Sequence, residues 1–260
     1  VAFVVTLLLG YAFLVAKPNL PKISALTDYK PKTPLRVYTA DKVLIGEFGE
    51  ERRKVIPLSE IPLSMRNAVL AIEDDRFYSH GGVDYVGILR AAATNLRGHL
   101  SQGASTITMQ VARNFFLSNE KTFSRKIYEV LLAWEIESQL TKDKILEIYM
   151  NQIFLGQRAY GFSSAAQIYF GKELKDITIA ESAMLAGLPK APSAYNPVTN
   201  FKRAKIRQEY ILQRMRDLGY ISTDEYQKAM AEELHIRGLG NEFAVRADFP
   251  AEMVRQLLFS

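Results

Sequence analysis

The sequence predicts a mainly α-helical domain with one small N-terminal β-hairpin and an N-terminal transmembrane helix. Three observations lead there. The apolar segments after Ser59 recur at helical spacing between recognisable caps. One pair of strand-like runs is joined by a turn, and residues 1–16 carry no charge.

The opening run ends at Lys17-Pro18. A spanning helix takes about 20 apolar residues and a signal-peptide core about 7–15. The run falls between the two and shows no polar stripe, so it is expected to be the outer part of an anchor that begins upstream. A cleaved signal, with small residues at Ala12 and Ala16, is the other reading. Residues 1–17 are therefore expected to be the anchor, and 18–58 a Pro- and Lys-containing linker followed by the hairpin. Residues 35–39 and 43–48, joined through Ala40-Asp41-Lys42, form that hairpin.

Helices follow. Pro62 and Ser64 start one that runs to Glu73. Asp84 caps a second, residues 85–96, with Val86, Leu89, Ala93 and Leu96 at helical spacing. Thr178 and Glu181 make a capping box for a helix that stops at Gly187, and Ser222 with Glu225 makes another. Asn200 caps a long basic helix ending at Gly219, which reads most simply as a solvated charged face.

Composition narrows the partners without choosing among them. Thirty-three Lys and Arg against 28 Asp and Glu give a formal charge of +5. Nucleic acid, anionic lipid or a phosphorylated substrate would each suit that sign. The chain has no cysteine, which excludes disulfides and thiolate metal sites.

Chemistry concentrates in three segments. An apolar helix end delivers Glu73 and Asp74 to a turn containing Phe77, His80 and two glycines. Carboxylates at the rim of a core can acquire the pKa of a general base, although an isolated pair of this kind is more often a solvated helix end. Next, a glycine-led turn, Gly103-Ala-Ser105, enters a helix on which Thr106, Gln110 and Arg113 share one face. Such a turn can hold phosphate, but alone it reads as a plain helix N-terminus. Finally, Arg125 and Glu129 lie four apart on a helix whose apolar residues, Leu132 and Ile136 against Ile127, Leu131 and Trp134, fall on both sides. That pattern predicts burial all round. By spacing the pair is equally a structural ion pair or an acid held by a cation in a cleft.

Taken in order, these segments resemble the glycosyltransferase domain of the class A penicillin-binding proteins. The matching residues are Glu73-Asp74, Phe77, His80 and Gly82; Gly103 to Thr108 with Gln110; Arg125-Lys126 and Glu129; and Lys144 to Asn151. Gly161-Phe162, Tyr169-Phe-Gly171 and the segment 188–197 extend the likeness over nearly the whole chain.

The resemblance implies a lysozyme-like helical fold over residues 59–234, with 235–260 leading into a transpeptidase domain that is missing here. It implies a bacterial, single-pass enzyme of the cytoplasmic membrane whose catalytic domain lies on the outer face. Its substrates would be lipid II and the growing lipid-linked glycan, joined by inverting β-1,4 transfer with release of undecaprenyl pyrophosphate. Glu73 matches the general base and Glu129 the second acid, near which a divalent cation, Mg2+ or another, is expected. No organic cofactor and no nucleic acid is implied.

Asp74, Phe77, Thr106, Gln110, Arg113, Asn114, Arg125 and Lys126 match substrate-binding positions, and His80, Gly103, Ser105 and Glu147 structural ones. Many members carry lysine where this chain has Arg113, which keeps the charge and changes the donor geometry. By analogy with inverting glycosidases, the two acids should stand more than roughly 6 Å apart. A lysozyme-like lytic enzyme and a non-enzymatic membrane scaffold are the alternatives. The lytic enzyme has no obvious need for the Arg113 and Arg125 cations, and a scaffold should not bind a lipid-pyrophosphate analogue.

Overall fold

The structure is a computed structural model that describes residues 10, 14, 16–27, 35–41, 44–48, 52–96, 105–117, 122–237 and 253–254. Most of the expected anchor, most of the 235–260 segment, and Gly103 lie outside the described residues. Among those described, no helix is long and apolar enough to cross a membrane. The chain divides into two compact units, Val1–Tyr29 with Glu73–Met150, and Lys30–Ile72 with Asn151–Ser260.

The second unit begins with the expected hairpin. Strands β1 (Leu35–Tyr38) and β2 (Leu44–Phe48) pair antiparallel, Leu35 opposite Phe48, with a register shift after Val37. A second pairing was not expected from the sequence. β3 (Arg52–Arg53) lies parallel to β4 (Ala159–Tyr160), so the chain after Ser59 is not wholly helical. Two-residue strands carry no periodicity for a sequence reading to find. Gly161, at φ +81, then turns the chain from β4 into α6; a Cβ there would meet the Asn151 carbonyl oxygen at 2.6 Å.

Helix α1 (Leu63–Glu73) starts after Pro62 as expected and buries Met65, Ala68, Val69, Leu70 and Ala71. Its final residue, Glu73, is the first of the other unit's long segment. α6 (Phe162–Phe170), α7 (Ile179–Ala186), α8 (Phe201–Asp217) and α9 (Thr223–Ala231) complete the second unit. The capping boxes at Thr178 and Ser222 and the Asn200 cap all form. α7, α8 and α9 pack on one another through Ala180, Ala183, Ile211, Leu212, Met215 and Ala229. α7 ends at Gly187 for a packing reason, because a Cβ there would stand 2.9 Å from the Arg207 side chain.

In the first unit, α2 (Tyr85–Leu96), α3 (Ile107–Phe116), α4 (Phe123–Gln139) and α5 (Lys142–Gln152, to Met150 in this unit) follow the turn after Glu73. α3 packs along α4, with Val83, Met109 and Ala133 closing a small apolar cluster. The expectation of burial all round α4 holds only in part. α4 is enclosed on the side of Glu129, Leu132 and Ile136, but on the other side only Leu131 is buried, while Ile127 is half-buried and Trp134 is 40% exposed. On α2, Val86 is half exposed and Leu89 is 71% exposed. Periodicity marks an apolar face; it cannot say whether anything covers it.

Candidate active site

Glu73, Asp74 and the turn to Gly82, all of α3 and α4, and α5 as far as Met150 belong to the first unit, so the site can be built within it. The apolar run of α1 carries the chain out to Glu73, where regular helix stops. The two adjacent acids then separate in role. Asp74 is buried, and both its oxygens are taken: His80 Nε2 stands 3.0 and 3.1 Å away, and the Ile107 N–H donates to Oδ2 at 3.1 Å. A carboxylate at the first N–H of α3 also meets the positive end of the helix dipole. Asp74 therefore ties the His80 turn to α3.

Phe77 and Thr106 are likewise engaged within the fold. Phe77 is fully buried, edge-on to His80, with Lys142 Nζ 4.4 Å from its ring centre. Thr106 is the N-cap of α3, accepting from the Met109 N–H and donating to the Gly82 carbonyl at 2.6 Å. Gly82 holds φ +86, and a Cβ on it would lie 2.9 Å from the Ala133 carbonyl oxygen. The turn, α3 and α4 are thus locked by backbone fit.

Glu73 has a different partner. Gln110 is buried on α3 and donates its amide N–H to Glu73 Oε2 at 2.7 Å, while its own Oε1 accepts from the Tyr149 hydroxyl at 3.4 Å. Tyr149, from α5, is 1% exposed. Burial, and then the Glu73 charge, hold its phenol well above the ordinary tyrosine range, with Arg113 acting the other way. Glu73, Gln110, Tyr149 and Arg113 therefore form one electrostatic neighbourhood. Tyr149 was absent from the sequence-based site. A phenol in the run Ile145-Leu146-Glu147-Ile148-Tyr149 needs a buried partner, and that was the available signal.

The second acid sits among cations. Glu129 is 1% exposed, inside α4. Lys126 Nζ donates to its Oε2 at 2.8 Å, and Arg125 Nε pairs with Oε1 at 3.3 Å. Lys126 also donates to Ser105 Oγ at 2.8 Å, just before α3 begins. Both cations remain partly open to solvent. The 105–110 segment thus touches Lys126 through Ser105 and Glu73 through Gln110. Arg113 is half-buried one turn beyond Gln110, and Asn114 is exposed. Glu147 pairs with Lys144 on the surface of α5.

Among the described residues no group of three His, Asp or Glu side chains is gathered as a metal ion requires. Glu129 is one carboxylate accompanied by two cations, a donor set that does not hold a resident divalent ion. What the arrangement can do is bind and stabilise anionic oxygen beside Glu129, with a second, amide-held carboxylate at the other end of α3's first turns.

A helical frame presenting one acid to an amide and another to a cation pair can serve transfer from an anionic leaving group. The transglycosylase family model matches residues 41–216, and the chain belongs to that family. It is 55% identical to penicillin-binding protein 1A of Neisseria meningitidis over 253 residues, 97% of this chain and 32% of that protein. Against penicillin-binding protein 1A of Pseudomonas aeruginosa it is 51% identical, over 94% of this chain and 30% of the relative. The crystal structure of penicillin-binding protein 1A from Haemophilus influenzae superimposes with a TM-score of 0.51 at 33% identity, covering 88% of this chain and 24% of that one. The chain spans about a third of the length of the curated relatives it matches.

Proposed function

We propose that this domain polymerises lipid II into β-1,4-linked glycan with inversion, working at the outer face of the cytoplasmic membrane on a lysozyme-like scaffold. The observation that carries the reading is the division of labour between two acids. Glu73 is held by a neutral amide, and Glu129 is buried between Arg125 and Lys126.

In this reading Glu73 takes the proton from the acceptor 4-hydroxyl as that oxygen attacks the donor's anomeric carbon. The anomeric C–O bond breaks, and its electron pair leaves with the lipid pyrophosphate. The leaving group departs as an anion and needs no general acid. Cations already in place lower the barrier without reorganisation, so Lys126, Arg125 and Arg113 are assigned to the pyrophosphate. Glu129 holds the first two in position. Its residues do not make a metal site by themselves, so no step runs through a metal ion.

The test is Glu73→Gln with lipid II as substrate. The swap keeps shape and removes basicity, so polymer that lysozyme can digest should fall by at least about a hundredfold while the fold persists. Activity within a few-fold of wild type removes Glu73 from the base role.

A further inference from the structure

We propose that Tyr149 is a positioning residue for the Glu73 base: its hydroxyl latches Gln110 Oε1 and so aims the Gln110 amide N–H at the carboxylate. This rests on the assignment of Glu73 as base and adds the device that keeps that base in one geometry.

A glutamine amide has two unlike ends on a bond that turns easily. Toward a carboxylate only the NH2 end is attractive, because the oxygen end would set two acceptors against each other. Gln110 is buried, so water cannot correct a wrong orientation. Its Nε2 donates to Glu73 Oε2 at 2.7 Å, and the opposite end is met by Tyr149 Oη at 3.4 Å. A phenol in that place must be the donor, since a carbonyl oxygen only accepts. It keeps its proton because burial, followed by the neighbouring Glu73 charge, raises its pKa. The negative charge of the base thus helps to keep protonated the group that orients its own partner.

The latch is long for a hydroxyl donor, and catalytic hydrogen bonds commonly tighten only when substrate binds. Its contribution is accordingly modest. Three elements converge on it, the end of α1, the second turn of α3 and the last turns of α5.

Tyr149→Phe removes only the hydroxyl. With lipid II, kcat should drop about three- to tenfold with KM unchanged, as expected for one weak hydrogen bond. The ascending limb of the kcat–pH profile should move to higher pH, because a lost amide donor disfavours the ionised base. On a Gln110→Ala background the same change should add nothing. Wild-type kcat with an unmoved limb, or effects of the two substitutions that simply multiply, would overturn the proposal.

Should Tyr149→Phe not fold, the Gln110 side-chain N–H signals of the wild-type protein decide. Slow hydrogen exchange and a response to Glu73→Gln support the latch, and exchange as fast as in an exposed glutamine overturns it. Full activity of Glu73→Gln would instead sink the base assignment, while the amide signals still report on the latch.

Discussion

Glu129 in the first unit and Glu181 in the second are the same residue type, both buried, each with a lysine 2.8 Å away. Their surroundings differ in one respect that decides what each can do. Glu181 is the N3 member of a capping box: its Oε2 accepts the Thr178 N–H at 2.9 Å, and its Oε1 accepts Lys172. Backbone satisfies it, so its charge is spent on starting α7. Glu129 lies in mid-helix, where every nearby N–H already serves the helix, and its partners are two cations, Lys126 half-open and Arg125 more deeply set. A buried acid whose charge is answered only by side chains reaching toward solvent leaves those cations able to turn to an anion.

The comparison breaks most visibly under one substitution made twice. Glu129→Gln should lower kcat for lipid II polymerisation by about 10²–10³, the order lost when a preorganised charge-stabilising group is removed. Glu181→Gln should leave kcat within twofold, because glutamine also serves at N3 of a capping box and the forfeited Lys172 pair is half exposed. Steady-state kinetics on both variants, normalised to folded protein, check this. Equal losses would mean that Glu129 is structural too.

Gly82 and Gly161 extend the contrast to the backbone. Each has φ above +80 and a carbonyl oxygen within 3 Å of where a Cβ would stand. Alanine at either position should cost about 2–4 kcal/mol of stability, from left-handed strain plus a backbone clash. Only Gly82→Ala should also depress kcat in the molecules that remain folded. Gly82 carries the carbonyl that Thr106 grips, and so sets the turn holding Asp74 and His80. Thermal unfolding followed by kinetics below the transition separates the two effects. An unchanged kcat for folded Gly82→Ala would uncouple that turn from the site.

The same contrast explains what the sequence made legible. Caps and spacing located α1, α3, α4 and both capping boxes, because those signals are local. They put Glu73 at a helix end, Gln110 on α3, and Glu129 beside Arg125. They did not distinguish Asp74 from Glu73, since neighbouring acids on a turn point in directions set by what packs behind them. Here that is the N-terminus of α3, 33 residues further along the chain. Tyr149 was missed for a similar reason: its role depends on a contact with Gln110, 39 residues away. Periodicity also overstated the Trp134 side of α4, where Leu131 is buried and Trp134 is not, because nothing in the pattern says what meets an apolar face.

The smallest effect expected concerns the other capping box, where the geometry of Glu181 recurs at an exposed site. Glu225 accepts the Ser222 N–H at 2.7 Å and its hydroxyl at 2.9 Å. The backbone bond chiefly, then the hydroxyl, hold its carboxyl below the ordinary glutamate value of 4.5. A group with a depressed folded-state pKa contributes stability that is present above its unfolded value and lost as pH falls through the folded one. Glu225→Gln keeps a cap but cannot titrate. Its Tm should therefore lie slightly below wild type at pH 7, with the gap closing as pH drops beneath about 4.5. A gap that stays constant down to the lowest pH at which the protein is folded would show that the carboxylate charge at this cap contributes nothing. Capping would then rest on hydrogen-bond geometry alone, at the exposed box and, by the same argument, at Glu181.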